Sequence, residues 1–179
     1  MAIFFTADTH FWHANIIKFC DRPFVTVEQM NKKLVENWNS VVGTEDTVYH
    51  LGDFANKCNA FAAAGIRGQL NGIIHLIRGN HEKPALDAQN KFPGTFSSVR
   101  DYSEIEVEGQ KIMLFHYAQR VWHHDFRGAW QLYGHSHGRL EDRPYGKSCD
   151  VGVDSWCFTP VAFHALKKHL DRRKSLAVI

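Results

Sequence analysis

The sequence predicts a single α/β domain whose parallel strands are joined by crossover helices, completed by a mixed sheet or by two stacked sheets. Three observations lead there. The first eighty residues alternate strand, helix, strand, helix, strand, an order that implies parallel pairing. The second half turns to short strands and a hairpin. No linker, repeat or low-complexity stretch divides the halves, and 179 residues suit one domain with a substantial core.

In order, Ala2 to Thr6 is apolar and β-prone, and it runs into Asp8-Thr9-His10. Residues two apart on an extended segment face one side, so Asp8 and His10 can hold one cation together. Thr26 is an N-cap candidate with Gln29 three residues on, and Val27, Met30, Leu34, Trp38 and Val41 then share a helix face. Asp46 to Leu51 reads as a second strand ending in Gly52-Asp53. Asn59 to Leu70 is an alanine-rich helix. Ile73 to Ile77 is a buried-strand pattern followed at once by Arg78, Gly79, Asn80, His81 and Glu82. Gly79 permits a turn that a side chain would forbid. Ser103–Val107 and Lys111–Phe115 alternate around Gly109 as a hairpin, the second strand ending in His116. Ala129 to Tyr133 is a strand ending in Gly134-His135-Ser136-His137-Gly138. Asp150 to Trp156 reads as one more strand, and a helix runs from Pro160 to about Leu170.

Composition bounds the possibilities. A hydrophobic content of 44% and a net charge of +2 describe a soluble globular chain, with too little charge to argue for nucleic-acid binding. No apolar run approaches ~18 residues, so no membrane span is expected. MAIFFTADTH has no basic leader, so no signal peptide is expected. The four cysteines form no CxxC and read as reduced thiols in a cytoplasmic protein. Twelve histidines are the compositional oddity.

The polar residues at strand ends form one set: Asp8, His10, Asp53, Asn80, His81, His116, His135 and His137. Ligand-bearing loops tend to sit where a buried strand stops. Carboxylate and imidazole without thiolate suit Mn, Fe, Ni or Zn. Seven of the eight can serve two metals if one carboxylate bridges them. Two metals roughly 3.5–4 Å apart can clamp a phosphoryl group during in-line displacement.

The series DTH (8–10), GD (52–53), GNH (79–81), His116 and GHSH (134–137) resembles the calcineurin-like metallophosphoesterase superfamily, and DTHFWHANII resembles its small stand-alone bacterial and phage members. The resemblance implies a four-layer α/β/β/α sandwich, two mixed sheets flanked by helices, with a dinuclear site at the strand ends. It implies that Asp8, His10 and His137 hold one metal, that Asn80, His116 and His135 hold the other, and that Asp53 bridges them. Manganese is the first expectation, with iron, zinc, nickel or magnesium as alternatives. It further implies attack on phosphorus by a hydroxide shared between the metals, with His81 as the non-ligand general acid beside the catalytic Asp53 and Asn80. An unperturbed histidine pKa near ~6.5 suits that work. The expected substrate is a small phosphoester or nucleotide, a diester by analogy with small family members. A phosphomonoesterase or nucleotidase, a nuclease and a metal-binding module without turnover are the alternatives.

A phosphoester site usually recruits an arginine. Arg22 and Arg78 are the candidates, although Arg78 can equally turn away to a carboxylate. The phosphoprotein-phosphatase motif GDxxDRG is absent, since the chain continues Gly52-Asp53-Phe54-Ala55-Asn56-Lys57. His13 either faces the site as a substrate contact or starts a helix. His50 and His75 read as core or supporting residues, and His123 and His124 as a loop. His164, His169 and the basic residues from Lys167 to Lys174 belong to the last helix and its C-terminal dipole. Specificity is expected in residues 11–25, 54–60 and 117–128, where Trp12, Phe24 and Trp122 either stack on a base or cover the core.

Overall fold

The computed structural model describes residues 1–140 and 146–175. The first half supplies β1 (Ile3–Thr6), α1 (Ala14–Phe19), α2 (Val27–Val41), β2 (Thr47–His50), α3 (Ala60–Arg67), β3 (Ile73–Ile77), α4 (Lys83–Lys91) and β4 (Ser98–Arg100). The second half supplies β5 (Tyr102–Val107), β6 (Gln110–Phe115), β7 (Trp130–Tyr133), β8 (Ser148–Asp150), β9 (Val161–Ala162) and α5 (Phe163–Leu170). Two mixed sheets result, ordered β4-β3-β2-β1-β9 and β5-β6-β7-β8.

Strands with both faces buried need apolar residues on both, and these have them. Phe4, Val48, Ile74 and Leu76 turn toward Met30, Leu34 and Trp38 of α2, with Ala63 and Ala85 of α3 and α4 in the same cluster. The alternate residues Phe5, Leu51 and Ile77 meet Ile112, Leu114, Trp130 and Leu132 of the second sheet. Phe163, Leu166 and Leu170 of α5 pack into that same cluster between the sheets. Beyond the second sheet, Trp122 and Ala129 cover Met113, in a loop that carries a short 3-10 turn at Asp125–Arg127. No described helix is long and apolar enough to cross a membrane.

The expected cap at Thr26 forms, and Asn59 supplies a second. The Thr26 hydroxyl accepts the Gln29 N–H at 3.2 Å, and Asn59 Oδ1 accepts the Ala62 N–H at 2.9 Å. Gln29 reaches back to the Val25 N–H.

Two expected boundaries fail. The strand predicted over Asp150–Trp156 stops at Asp150, because the chain leaves the second sheet there. Asp150 Oδ1 takes the Gly152 N–H at 2.7 Å, Val153 N–H turns to the Ala7 carbonyl at 3.0 Å, and Val153–Ser155 coil into a 3-10 turn. The last helix starts at Phe163, not Pro160, because Val161 and Ala162 first pair antiparallel with Phe5 and Phe4. The short α4 and β4 have no counterpart among the expected elements, and α1 is the helix that was one alternative for His13.

Register positions the site. In the parallel trio, Thr6 lies level with His50, and His50 with Leu76. In the second sheet, Leu114 lies level with Leu132. The loops after β1, β2, β3, β6 and β7 therefore leave the strands at matching heights, in keeping with ligand sites at the carboxyl ends of parallel strands.

Candidate metal centre

The loops after β1 and β7 bring ligand atoms of Asp8, His10 and His137 within 4.8 Å of one another. Those after β2, β6 and β7 do the same for Asp53, His116 and His135. Asp53 joins the groups: its Oδ2 lies 3.4 Å from His10 Nε2 and its Oδ1 3.7 Å from His116 Nε2. Asn80 Oδ1 stands 3.0 Å from His116 Nε2. The other six expected ligands thus gather around the Asp53 carboxylate.

The donor chemistry fits cations. His116 Nδ1 lies 2.8 Å from the Leu51 carbonyl, so that nitrogen carries the proton and Nε2 turns a lone pair toward the lone pairs of Asn80. His10 Nδ1 pairs with His13 Nδ1 at 3.2 Å, while its Nε2, aimed at Asp53, is buried without a hydrogen-bond partner. Buried polar atoms left in this state point to an ion. His137 Nδ1 donates to Asp154 Oδ2 at 2.7 Å, the carboxylate–imidazole arrangement that orients a metal-binding ring.

Asp8 (φ 56°), His10 (φ 50°), Asp53 (φ 57°), His135 (φ 68°) and His137 (φ 49°) all have left-handed backbone. Such conformations cost of order 1–3 kcal/mol each for a side-chain-bearing residue and cluster at functional sites. Asp8 and His10 therefore do not converge by sharing a face of an extended strand, as expected, but because the chain turns at each of them.

Buried acids hold these turns. Glu82 accepts N–H groups from Asp53 (2.7 Å), Phe54 (3.0 Å) and Gly79 (2.8 Å), tying the loop after β2 to the loop after β3. Asp150 accepts from the Ser136 hydroxyl at 2.5 Å and the Gly138 N–H at 3.0 Å. Asp8 accepts the His135 N–H at 2.8 Å. Gly79 is required here for closeness and not for a turn with positive φ, because a Cβ there would overlap the Asp53 carboxylate. At Gly134 a Cβ would meet Ala7 Cβ at 2.5 Å.

Electrostatics follow burial. Desolvation holds Asp8 well above the usual carboxylate range and keeps His10 and His116 below the usual imidazole range. Burial alone would also depress His137, but hydrogen bonds to Asp154 and Cys20 and the charge of Asp8 outweigh it, raising its pKa to about 10. Desolvation pushes Glu82 up to about 7, against the N–H donors that favour its carboxylate.

A cavity of about 500 Å³ opens over the groups, lined by His10, His13, Asp53, Asn80, His81, His135 and His137. The His81 backbone N–H donates to Asp53 Oδ1 at 2.8 Å, and its ring centroid lies 5.7 Å from that of His10. His13 lines the cavity and stands at the N-cap position of α1, where its side chain makes no capping bond.

The arginines expected at substrate do not reach this cavity. Arg22 is 4% exposed; it grips Asp154 and donates to the carbonyls of Asp8 (2.7 Å) and Thr9 (3.0 Å). Arg78 turns outward into an ion pair with Asp101. Lys57 and Arg139, which sequence reasoning missed, line the cavity instead. Cys20 also borders it, in a group with His137 and Asp154, so a thiol does adjoin the oxygen and nitrogen ligands. Asp150, Asp154 and Glu82 were missed as supports; the DVGVD spacing and the Glu after GNH were the available signals. Trp122 packs into the core through an N–H bond to the Ala129 carbonyl at 2.9 Å, and Phe24 packs on Phe158. His123 and His124 stack on each other away from the site, with His123 paired to Glu104.

Two stacked mixed sheets whose strand ends gather acid and imidazole groups around one carboxylate define the metallophosphoesterase class. The comparisons agree. The family description "Calcineurin-like phosphoesterase superfamily domain" fits residues 1–152. The uncharacterized protein MJ1445 of Methanocaldococcus jannaschii is 38% identical over 183 residues, spanning 99% of this chain and 96% of that one. A protein of unknown function from Aquifex aeolicus, AQ665, superposes with a TM-score of 0.74 at 25% identity, over 94% of this chain and 98% of its own. An archaeal phosphodiesterase shares the fold with a TM-score of 0.54 at 21% identity, over 85% and 84%. The chain belongs to the calcineurin-like phosphoesterase superfamily, whose members use divalent metals.

Proposed function

We propose that this chain is a metal-dependent phosphodiesterase acting on small or nucleotide-type substrates. The observation that carries the reading is the place of Asp53, its two oxygens turned to His10 Nε2 and His116 Nε2 of separate ligand groups. Asp8, His10 and His137 would hold one divalent ion, Asn80, His116 and His135 a second, and Asp53 both. Manganese is the first choice among Mn, Fe, Zn, Ni and Mg for this donor set. When bound, the ions supply Lewis acidity and an activated water.

The chain's own residues do the rest. Lys57 and Arg139 bring positive charge to the cavity wall, where the non-bridging oxygens of a phosphoester need it. His81 is tethered by its backbone to Asp53 while its ring stays open to the cavity, so it can protonate the leaving oxygen without competing as a ligand. His13 fixes the His10 ring from behind. The same fold carries an archaeal phosphodiesterase.

The test is hydrolysis of an aryl phosphodiester and its monoester, side by side, by protein stripped of metal and resupplied with Mn, Ni, Zn or Mg. Metal-dependent turnover that favours the diester is expected. Monoester preference would make the chain a phosphatase or nucleotidase. No turnover with any metal would defeat the reading.

A further inference from the structure

A second cleft of about 750 Å³ adjoins the cavity of about 500 Å³ over the ligand groups. Asn56 and Lys57 line both, so the two chambers share a wall. Trp12, which follows the first ligand loop, forms part of the second chamber, and α3 and α4 supply Ala62 and Lys83. Its volume lies in the ~300–1,000 Å³ range of small-ligand sites, and it opens broadly to solvent.

Its lining is chemically mixed in a particular way. Trp12 is held in a left-handed turn (φ 67°) with its backbone N–H on Asn31 Oδ1 at 3.1 Å, and its indole, packed on the core with Nε1 buried, lines the cleft. Asn56 Oδ1 is taken by the Lys57 N–H at 2.8 Å, and Asn59 Oδ1 by the Ala62 N–H. Both amides therefore keep their nitrogens as donors. Lys57, also left-handed (φ 57°), makes no ion pair among the described residues and stands at the junction of the chambers. Lys83 and Asp87 pair at 2.6 Å elsewhere on the wall. An aromatic face with amide donors suits a heterocyclic base, and an unpaired cation between chambers suits a phosphate.

We infer that this second chamber takes the leaving nucleoside of a nucleotide phosphodiester whose scissile phosphate lies over the ligand groups; the inference rests on the phosphoesterase reading of the first chamber. In the reaction a water oxygen bonds to phosphorus and the phosphorus–oxygen bond to the leaving nucleoside breaks. His81 gives that oxygen its proton and recovers one from the water. The products are a nucleoside and a nucleoside monophosphate from a dinucleotide, or a nucleoside and a shortened, phosphate-ended chain from an oligonucleotide. The natural substrate is then a dinucleotide or the end of an oligonucleotide, and a cyclic mononucleotide leaves the second chamber unused.

The test compares kcat/KM for thymidylyl-thymidine with that for bis(4-nitrophenyl) phosphate, in the metal-loaded wild type and in Ala62→Trp, which fills the chamber. The dinucleotide-to-aryl ratio is expected to fall about tenfold or more in the variant, the scale of one lost base stack. An unchanged ratio, or a wild type that cleaves the aryl diester but not the dinucleotide, would overturn the inference. A second measurement needs no turnover. Thymidine titrated into the zinc-loaded protein should move the indole N–H resonance of Trp12, assigned through Trp12→Phe, and this shift should vanish in Ala62→Trp. Absence of any shift at millimolar thymidine would count equally against it. If neither diester is cleaved, the phosphoesterase reading fails by itself and the thymidine titration alone decides the chamber.

Discussion

The guanidinium of Arg22 holds Asp154 through two N–H···O bonds of 2.8 Å each, from Nε and from a terminal nitrogen, across 132 residues of sequence. Asp154 in turn accepts from Nδ1 of His137 at 2.7 Å. A candidate ligand is thus oriented through two side chains by an arginine that never reaches the cavity. The pair is almost fully buried, so neither charge can be removed without leaving the other stranded.

Arg22→Ala should destabilise the protein by about 3–5 kcal/mol, the usual cost of breaking a buried ion pair by removing one partner. Arg22→Lys should recover only part of this, because an ammonium cannot reproduce the two-pronged grip. Asp154→Asn should lower metal affinity about 10–100-fold, measured by titration calorimetry. Wild-type affinity in Asp154→Asn would show that His137 needs no such support.

His81→Ala and Asp53→Asn should separate turnover from metal binding. The first is expected to keep both ions by elemental analysis yet lose about 10²–10⁴-fold in kcat. The second is expected to lose bound metal along with activity. Full activity in His81→Ala would remove it from the reaction.

Chelation should lower the melting temperature, and readdition of a divalent ion should restore it. At free metal near 100 times Kd, the gain is about 2.7 kcal/mol per site. An identical melting temperature with and without chelator would mean that the buried ligand groups do not hold ions in the folded state.

Burial pushes the His50 imidazole from the ordinary 6.5 down to about 3, with its Nε2 on the Thr9 hydroxyl. Its contribution to stability is therefore complete above pH 6.5 and is lost as pH falls from there toward 3. The slope for one such group is at most about 1.4 kcal/mol per pH unit. In metal-free protein, His50→Gln should flatten the acid limb of stability against pH. Parallel limbs for the two proteins would contradict this.

Glycines offer a paired test. Gly65 lies in α3 with open space around it, so Gly65→Ala should stabilise by about 0.5–1 kcal/mol. At Gly79 an added methyl collides with the Asp53 carboxylate, so Gly79→Ala should cost about 1–3 kcal/mol and reduce metal content. Thermal melts and elemental analysis of the two variants check both signs.

The candidate ligands were legible because each sits where an apolar run stops, a local signal that a strand carries in its own sequence. Their supports were not. Arg22 and Asp154 meet only through the fold, and so do Glu82 and the N–H groups of Asp53 and Phe54. Arg22 was expected at the substrate since a cationic side chain in a loop near the first motif looks the same whether it faces a cavity or a carboxylate. The long α2 was found from its apolar face and cap. The six-residue α1 and the three-residue β4 are too short to show a period, and the KPALDAQNK sequence of α4 is largely polar.

The distribution of ligands over two sheets has a temporal consequence. Asp8, His10, Asp53 and Asn80 follow strands of the first sheet, whereas His116, His135 and His137 follow strands of the second. During synthesis the early residues emerge first, yet neither group can close until β7 has been made and laid against its neighbours. Each candidate group is therefore completed only by a residue from the late second sheet. A chain cut short before residue 135 would lack His135 and His137, one imidazole from each candidate group.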